Sequence, residues 1–492
     1  MKANMTFNAY KVLIAGFFCI AFTACEKVLV EDPKTFLDEN ITFSSEDGAL
    51  AATLGVYESL RDNEYYGQVL LAVTIQHSDY AYGRGSQVPS GNYQFDANTI
   101  IRVGTIWTSI YSSINRANIV IEKIPQMDIL SEQLKNQLTS EARFLRALGY
   151  FNLVRLWGGV PLRLHPETID FALARSSEDE VYAQIISDLQ TAEQALPDAY
   201  PSSENGRATK WAAKTLLANV YLTQGKWSDA AAKAKEVIDS GKYSLVQVTG
   251  SLDFQTKLFG PDIPTNSEDI FSIKYSVTFD NDQFIRFFHK PEPGYSKGGP
   301  HAIIGNMNSF IAQGEWASED TPDLRRNHTL YSGEDKQYLN ASVPMLFRKF
   351  RGTLTNVSNN TPIFRLPEVL LIFAEAENQA NSGPTQAAYD AINQVRRRAF
   401  GRSLTQPSAE ADIPEGLNAQ QFRDAVLLER AKELLGEGGH RWFDLLRTGT
   451  AIQVIQAAKN ITLTEKNLKW PIPQEELDNN DALTQADQNP GW

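Results

Sequence analysis

The stretch Trp211-Ala-Ala-Lys-Thr-Leu-Leu-Ala-Asn-Val-Tyr221-Leu-Thr-Gln-Gly225-Lys-Trp227-Ser-Asp-Ala230, followed by Ala234, reads as two helices folded back on each other. Small residues at Ala213, Ala230 and Ala234 let the two axes approach closely. Tyr221 and Trp227 fill the space between them, and Gly225 permits the tight turn, which is the pattern of one tetratricopeptide unit. A lone helix pair of this kind cannot bury its own apolar face, so further pairs must stack beside it.

Further pairs are present on both sides. Helical spacing covers Ser131 to Leu156, Ser177 to Leu196, Thr209 to Thr223 and Ser228 to Ser240. These are closed by Gly158-Gly159 and Pro161, by Pro197, by Gly225 and by Gly241. Upstream, Ser44 or Ser45 caps a helix through Ala49, Val56 and Leu60, and Ile106 to Ile124 forms another that Pro125 stops. Downstream, Phe364 to Asn381 pairs with Gln386 to Phe400, and Gln420 to Leu435 pairs more loosely with Arg441 to Ala458. The fold class expected is mainly α: tetratricopeptide-like helix pairs as a scaffold, with a large irregular insertion and loops carrying the binding surface.

Residues 44–241 and 362–470 are the expected scaffold, with a loop excursion at 63–104 rich in Tyr, Gly, Ser and Asn. Between them, residues 242–361 lose helical periodicity yet hold many Phe, Ile and Tyr that need burial, which predicts a compact irregular insertion. Residues 471–492 read as a polar tail that wraps the surface.

The amino-terminal end carries a different message. Lys2 and Lys11, an apolar run from Val12 to Phe22, and then Phe22-Thr23-Ala24-Cys25 have the layout of a secretory signal cleaved before a cysteine. The run is shorter than the roughly 20 apolar residues that span a bilayer. Residues 1–24 are therefore expected to be removed as a lipoprotein signal, with Cys25 lipidated and residues 25–43 serving as a tether. Cys19, the only other cysteine, would leave with the signal, so no disulfide is expected. Lys and Arg total 46 against 59 Asp and Glu; loss of Lys2 and Lys11 would leave 44 against 59, a net charge of −15. That balance repels phosphate backbones and argues against nucleic acid as a partner.

Catalytic and cofactor signatures are missing: no His-Glu-x-x-His, no Gly-x-Ser-x-Gly, no Gly-x-x-x-x-Gly-Lys. His77 with Asp79 supplies two metal-ligand types at one spacing, too few for a site; Gly83-Arg84-Gly85 lacks the third glycine of a dinucleotide loop and reads as a turn. No cofactor is expected, with a loop-bracing calcium ion left open. Aromatic residues in the irregular segments point to sugars, because a ring face covers the apolar C–H face of a pyranose while Arg, Asp and Asn pair with its hydroxyls.

Several long motifs resemble one family. They are Cys25-Glu-Lys-Val-Leu29-Val-Glu31-Asp-Pro33, Ile114-Asn-Arg116-Ala-Asn118, Glu141-Ala-Arg143 through Tyr150 to Trp157-Gly-Gly-Val-Pro161, Arg365-Leu-Pro367-Glu368, Glu429-Arg430, Gly439-His440-Arg441-Trp442-Phe-Asp444-Leu-Leu-Arg447, Pro471-Ile-Pro473 and Gln488-Asn489-Pro490-Gly491. Together they resemble the SusD/RagB family of Bacteroidetes surface lipoproteins across nearly the whole chain after Cys25. The resemblance implies a tetratricopeptide-like scaffold anchored by lipid to the outer leaflet of the outer membrane and facing the cell exterior. It also implies a lid over a SusC-like TonB-dependent transporter, glycan binding for uptake, and no catalytic residues.

The motif arginines Arg143, Arg146 and Arg155 are expected to pair with carboxylates such as Glu368, Glu375 or Asp444 between helices, a scaffold role. The ligand site is expected on the loops, at Asp79, Tyr80, Tyr82, Arg84, Tyr93, Tyr295 and Trp316. Trp316, within Gln313-Gly314-Glu315-Trp316-Ala-Ser-Glu-Asp, is expected to be an exposed platform among small and acidic residues. Three other functions stay open: a binder of non-sugar cargo such as peptides for the same type of transporter, a glycan-active enzyme built on a carboxylate pair, and a pure helical-repeat adaptor without a concave aromatic patch on the insertion.

Overall fold

A computed structural model describes residues 42–166, 172–281, 302–332, 345–352 and 356–492. Cys25, the leader and most of the tether lie outside these residues. The first helix, α1 (Glu46–Ser59), is capped by Ser45, whose hydroxyl accepts from the Gly48 amide at 3.1 Å, and Glu46 and Asp47 in its first turn suit the positive end of the helix dipole. It packs against α3 (Ala97–Lys123) and α4 (Glu132–Trp157), and α5 (Glu178–Ala195) lies along α4. The start of α5 is a capping box, with Ser177 and Glu180 each bonding the other's backbone.

The decisive pair follows. α6 (Lys210–Thr223) and α7 (Trp227–Asp239) pack on each other, with Ala213, Ala230 and Ala234 fully buried at the contact. Gly225 in the turn has φ +68°, a left-handed conformation that costs a side-chain-bearing residue energy. α7 then hands over to α8 (Leu366–Ala380), with residues 240–365 lying between them in the chain, and α8 packs on α9 (Gln386–Ala399) and α10 (Ala419–Glu433). The helix pairs thus form one continuous stack although the insertion separates them in sequence.

Two expectations need correction. Residues 63–104 are not a loop excursion: α2 (Val69–Gln76) runs through them, and α3 begins at Ala97 rather than near Ile106. Residues 70 to 76 are all buried, so α2 is enclosed on every side and shows no polar face to read. The first turns of α3 leave Ile100 and Ile101 exposed, which hides the buried-face spacing there. The single helix expected over Arg441 to Ala458 is two, α11 (His440–Arg447) and α12 (Ala451–Lys459), separated at Gly449 with φ +69°.

The described part of the insertion forms short antiparallel strand pairs, one of them with a strand that lies outside it. β1 (Ala81–Gly83) pairs with β3 (Ala302–Ile304), β2 (Asp269–Ile273) with β6 (Thr361–Arg365), and β4 (Leu330–Ser332) with β5 (Met345–Phe347). β2 and β6 seat the insertion on the scaffold, with Phe271 against Phe144 of α4 at 5.0 Å between ring centres. The tail is equally anchored. Trp157 donates its indole N–H to the Pro471 carbonyl at 2.9 Å, and Asn489 Nδ2 donates to the carbonyls of Trp157 and Trp470 at 2.9 and 2.7 Å.

The motif arginines are structural, but their partners differ from those expected. Arg146 makes a bidentate pair with Asp188 of α5, both contacts at 2.8 Å, and Arg143 approaches the same carboxylate at 3.5 Å. Arg155 lies between the rings of Phe151 and Phe443, 3.8 and 3.6 Å from their centres, where burial pushes its pKa down to about 10. Glu141 is held by Arg207, Glu375 by Arg447 and Arg423, and Asp444 by Arg430 and Arg447. Each arginine of α4 therefore finds what lies beside it in the stack, and that order is tertiary.

Candidate functional site

An open cleft of about 840 Å³ lies where the insertion meets the carboxy-terminal helices. One wall comes from residues 308–315, the other from α10, α12 and the loop at 410–414. Phe310, Ile413, Pro414, Leu428 and Val454 give it apolar surface, and Asn308, Gln313, Thr450 and Gln453 give it neutral hydrogen-bonding groups. Leu428 is 41% exposed, an unusual setting for leucine on a helix that buries its opposite face.

The wall on the insertion side is held by a chain of contacts. Trp316 is fully buried and donates its indole N–H to Asp323 Oδ2 at 2.8 Å. Asp323 in turn holds Arg325 at 2.8 Å, and Arg325 reaches Glu429 of α10 at 2.6 Å. Glu315, next to the indole, faces Arg396 at 2.6 Å and also pairs with Lys432. Burial raises the pKa of Glu315, but its hydrogen bonds and charge contacts with Arg396 and Lys432 outweigh that and hold it at about 2.

The floor is Asp79, which follows α2. Arg441 of α11 grips it with Nε and Nη2, both at 2.9 Å, and the same guanidinium sits over the Phe310 ring at 5.6 Å. Gly439, which opens α11 at φ +72°, approaches Thr74 so closely that a Cβ there would lie 2.5 Å from its hydroxyl. This close approach brings the Arg441 helix up to Asp79. Asn306 braces the floor from behind. Its amide donates to the carbonyls of Asp79 at 2.6 Å and Ala458 at 2.9 Å, and its oxygen accepts from the Tyr82 hydroxyl at 2.7 Å.

Of the described residues expected from sequence, Asp79 alone lines this cleft. Tyr80 is buried behind it, its hydroxyl accepting from the Gly436 amide at 3.3 Å, and burial pushes its pKa up to about 12. Tyr93 is buried against His77 at 4.7 Å between ring centres and donates to the His77 carbonyl. Both are corrected from ligand contacts to core. Trp316 is corrected as well, since its indole is packed inside and only the flanking small and acidic residues face out. Tyr82 is half-buried and Arg84 exposed, on the strand and turn that pair with β3. Tyr295 lies outside the described residues. His77 does not form a metal pair with Asp79: its ring sits among Tyr93, Trp442 and Trp470, and Asp79 is taken by Arg441. Among the described residues no group of three or more His, Cys, Asp or Glu is placed to hold a metal ion.

The residues missed by sequence reading are Phe310, Gln313, Ile413, Leu428 and Gln453. One signal was present. Val426-Leu427-Leu428 puts three apolar residues in a row, more than a helix with one buried face can hide.

Residues 50–222 match the family model SusD-like_3, described as starch-binding and associating with the outer membrane, and residues 346–492 match the SusD_RagB model of the SusD family. The chain belongs to the SusD family. SusD-like protein P25 of Formosa agariphila is 28% identical over 97% of this chain and 98% of its own length. Among solved structures, a SusD homologue from Bacteroides thetaiotaomicron superposes with a TM-score of 0.78 at 24% identity, over 93% of this chain and 99% of that one. A laminarin-binding SusD-like protein superposes at 0.72, with 24% identity, 91% of this chain and all of that one. The SusD fold therefore accounts for the helix stack.

Proposed function

We propose that this chain is a cell-surface lipoprotein that captures oligosaccharide or polysaccharide in the cleft beside Asp79 and delivers it to a SusC-like TonB-dependent transporter of the outer membrane. One observation carries the reading: on a SusD scaffold, this open cleft combines an apolar wall with hydrogen-bonding groups, as a sugar requires. The family model for residues 50–222 is described as starch-binding, and one structural neighbour is named for binding laminarin. Lipidation at Cys25 would anchor it; among the described residues no helix is long and apolar enough to cross a membrane.

A glycan-active enzyme fits less well. A general acid must hold a proton near neutral pH, whereas Glu315 is held ionised and Asp79, Glu410, Asp412 and Glu429 each lie in an ion pair or bidentate contact with an arginine. Peptide cargo is the second reading, favoured by a lining with one aromatic ring and several charged side chains. Affinity electrophoresis of the purified protein through gels containing single polysaccharides, alongside calorimetry with peptide mixtures, separates the two. Retardation by a polysaccharide without reducing-end release is expected. Heat of binding from peptides alone, or release of reducing ends, would overturn the reading.

A further inference from the structure

We propose that the cleft selects a neutral glycan, one whose units carry hydroxyls but neither sulfate nor carboxylate groups. This rests on the reading that the cleft binds glycan, and it follows from how the charges lining the cleft are spent.

Among the described residues, five carboxylates line the cleft: Asp79, Glu315, Glu410, Asp412 and Glu429. Against them in the lining stand Arg396, Lys432 and Arg441, and just behind it Arg397 and Arg402 pair with Asp412 and Glu410, so each of these carboxylates already has a cation. Each cation is already committed. Arg441 is bidentate to Asp79, Arg396 spans Glu315 and Glu429 at 2.6 and 3.1 Å, and Lys432 pairs with Glu315. For a sulfate or uronate to recruit one of them, that pair must open. Asp79 and Glu429 are buried, and opening their pairs would leave a buried carboxylate without its partner, which is far costlier than losing an exposed contact.

A hydroxyl meets no such barrier. A carboxylate accepts several hydrogen bonds at once, so one already held by an arginine still has lone pairs for a sugar hydroxyl. Glu315 and Glu410 are exposed at the cleft, and Asn308, Gln313 and Gln453 offer both donors and acceptors. Phe310, Ile413 and Leu428 can cover the C–H faces of the rings. The lining thus rewards hydroxyls and apolar faces and opposes added negative charge.

The test uses the full-length protein and pairs of oligosaccharides that differ only in sulfation, together with neutral and uronate-rich polysaccharides. Calorimetry is expected to find a neutral ligand whose sulfated form binds about tenfold more weakly or worse. Its affinity should change by less than about twofold between roughly 0.05 and 0.5 M NaCl, since no ion pair forms on binding. Glu410→Lys, at an exposed position, should narrow the gap between the two ligands by recovering part of the sulfated one's affinity. Preference for the sulfated or uronate ligand, with steep loss in salt, would overturn the proposal while leaving glycan capture intact. Binding of neither class would overturn glycan capture, and this proposal with it.

Discussion

Trp316 shows how much a single side chain depends on what meets it. Its ring is sealed inside the insertion and its N–H is satisfied by Asp323, while Glu315 beside it turns to Arg396 and Lys432. Trp316→Ala is therefore expected to cost about 3–5 kcal/mol of stability by opening a cavity and removing one hydrogen bond to Asp323, seen as a clear fall in melting temperature. An unchanged melting curve would return the ring to the surface. Glu368 gives a second expectation. It is buried, accepts from Asn219 at 2.9 Å, and stands 4.0 Å from Arg430; desolvation, opposed by Arg430 and reinforced by Asp444, raises its pKa to about 8. The folded state then binds a proton that the unfolded state releases above about 4.5. The stability from this group is full below the unfolded value and is lost as pH rises towards 8. Glu368→Gln should flatten that decline, on the order of 1 kcal/mol per pH unit at its steepest, in denaturant titrations between pH 5 and 8. Identical pH profiles for the two proteins would contradict the assignment.

At the scale of elements, helix pairs carry the fold and small residues set their spacing. Ala234 of α7 is fully buried where α7 meets both α6 and α8. Ala234→Trp should force these helices apart and cost about 1–3 kcal/mol or more, read as a lower denaturation midpoint. Retention of the wild-type midpoint would mean that this face is not the packed one. The helices with one buried face and clear caps were legible in sequence: Ser45, Ser131, Ser177 and Thr209 all cap the helices expected of them. α2 was not legible, because a helix buried on every side has no amphipathic period. The strand pairs of the insertion were also hidden, since runs of three to five residues carry too little alternation to stand out.

At the scale of the whole molecule, the stack of pairs, the insertion seated on it and the tail closed over Trp157 frame the cleft beside Asp79, and the lipid proposed at Cys25 would hold this body at a membrane surface. Cys25→Ala is expected to leave a folded protein that moves from the membrane fraction to the soluble fraction once the transporter gene is deleted. Continued membrane association in that background would exclude lipid as the anchor. The sequence by itself determined the helical repeat class, the order of most helices, the acidic character and the family motifs. Each rests on local spacing, on capping chemistry or on composition, which a linear string records. It did not determine the cleft. Asp79 and Arg441 are 362 residues apart, and Glu315 meets Arg396 and Lys432 across 81 and 117 residues. Whether a carboxylate is a free acceptor or a spent ion partner, and whether a tryptophan is a platform or a core plug, is fixed by which distant segment packs beside it, and only the tertiary structure decides that.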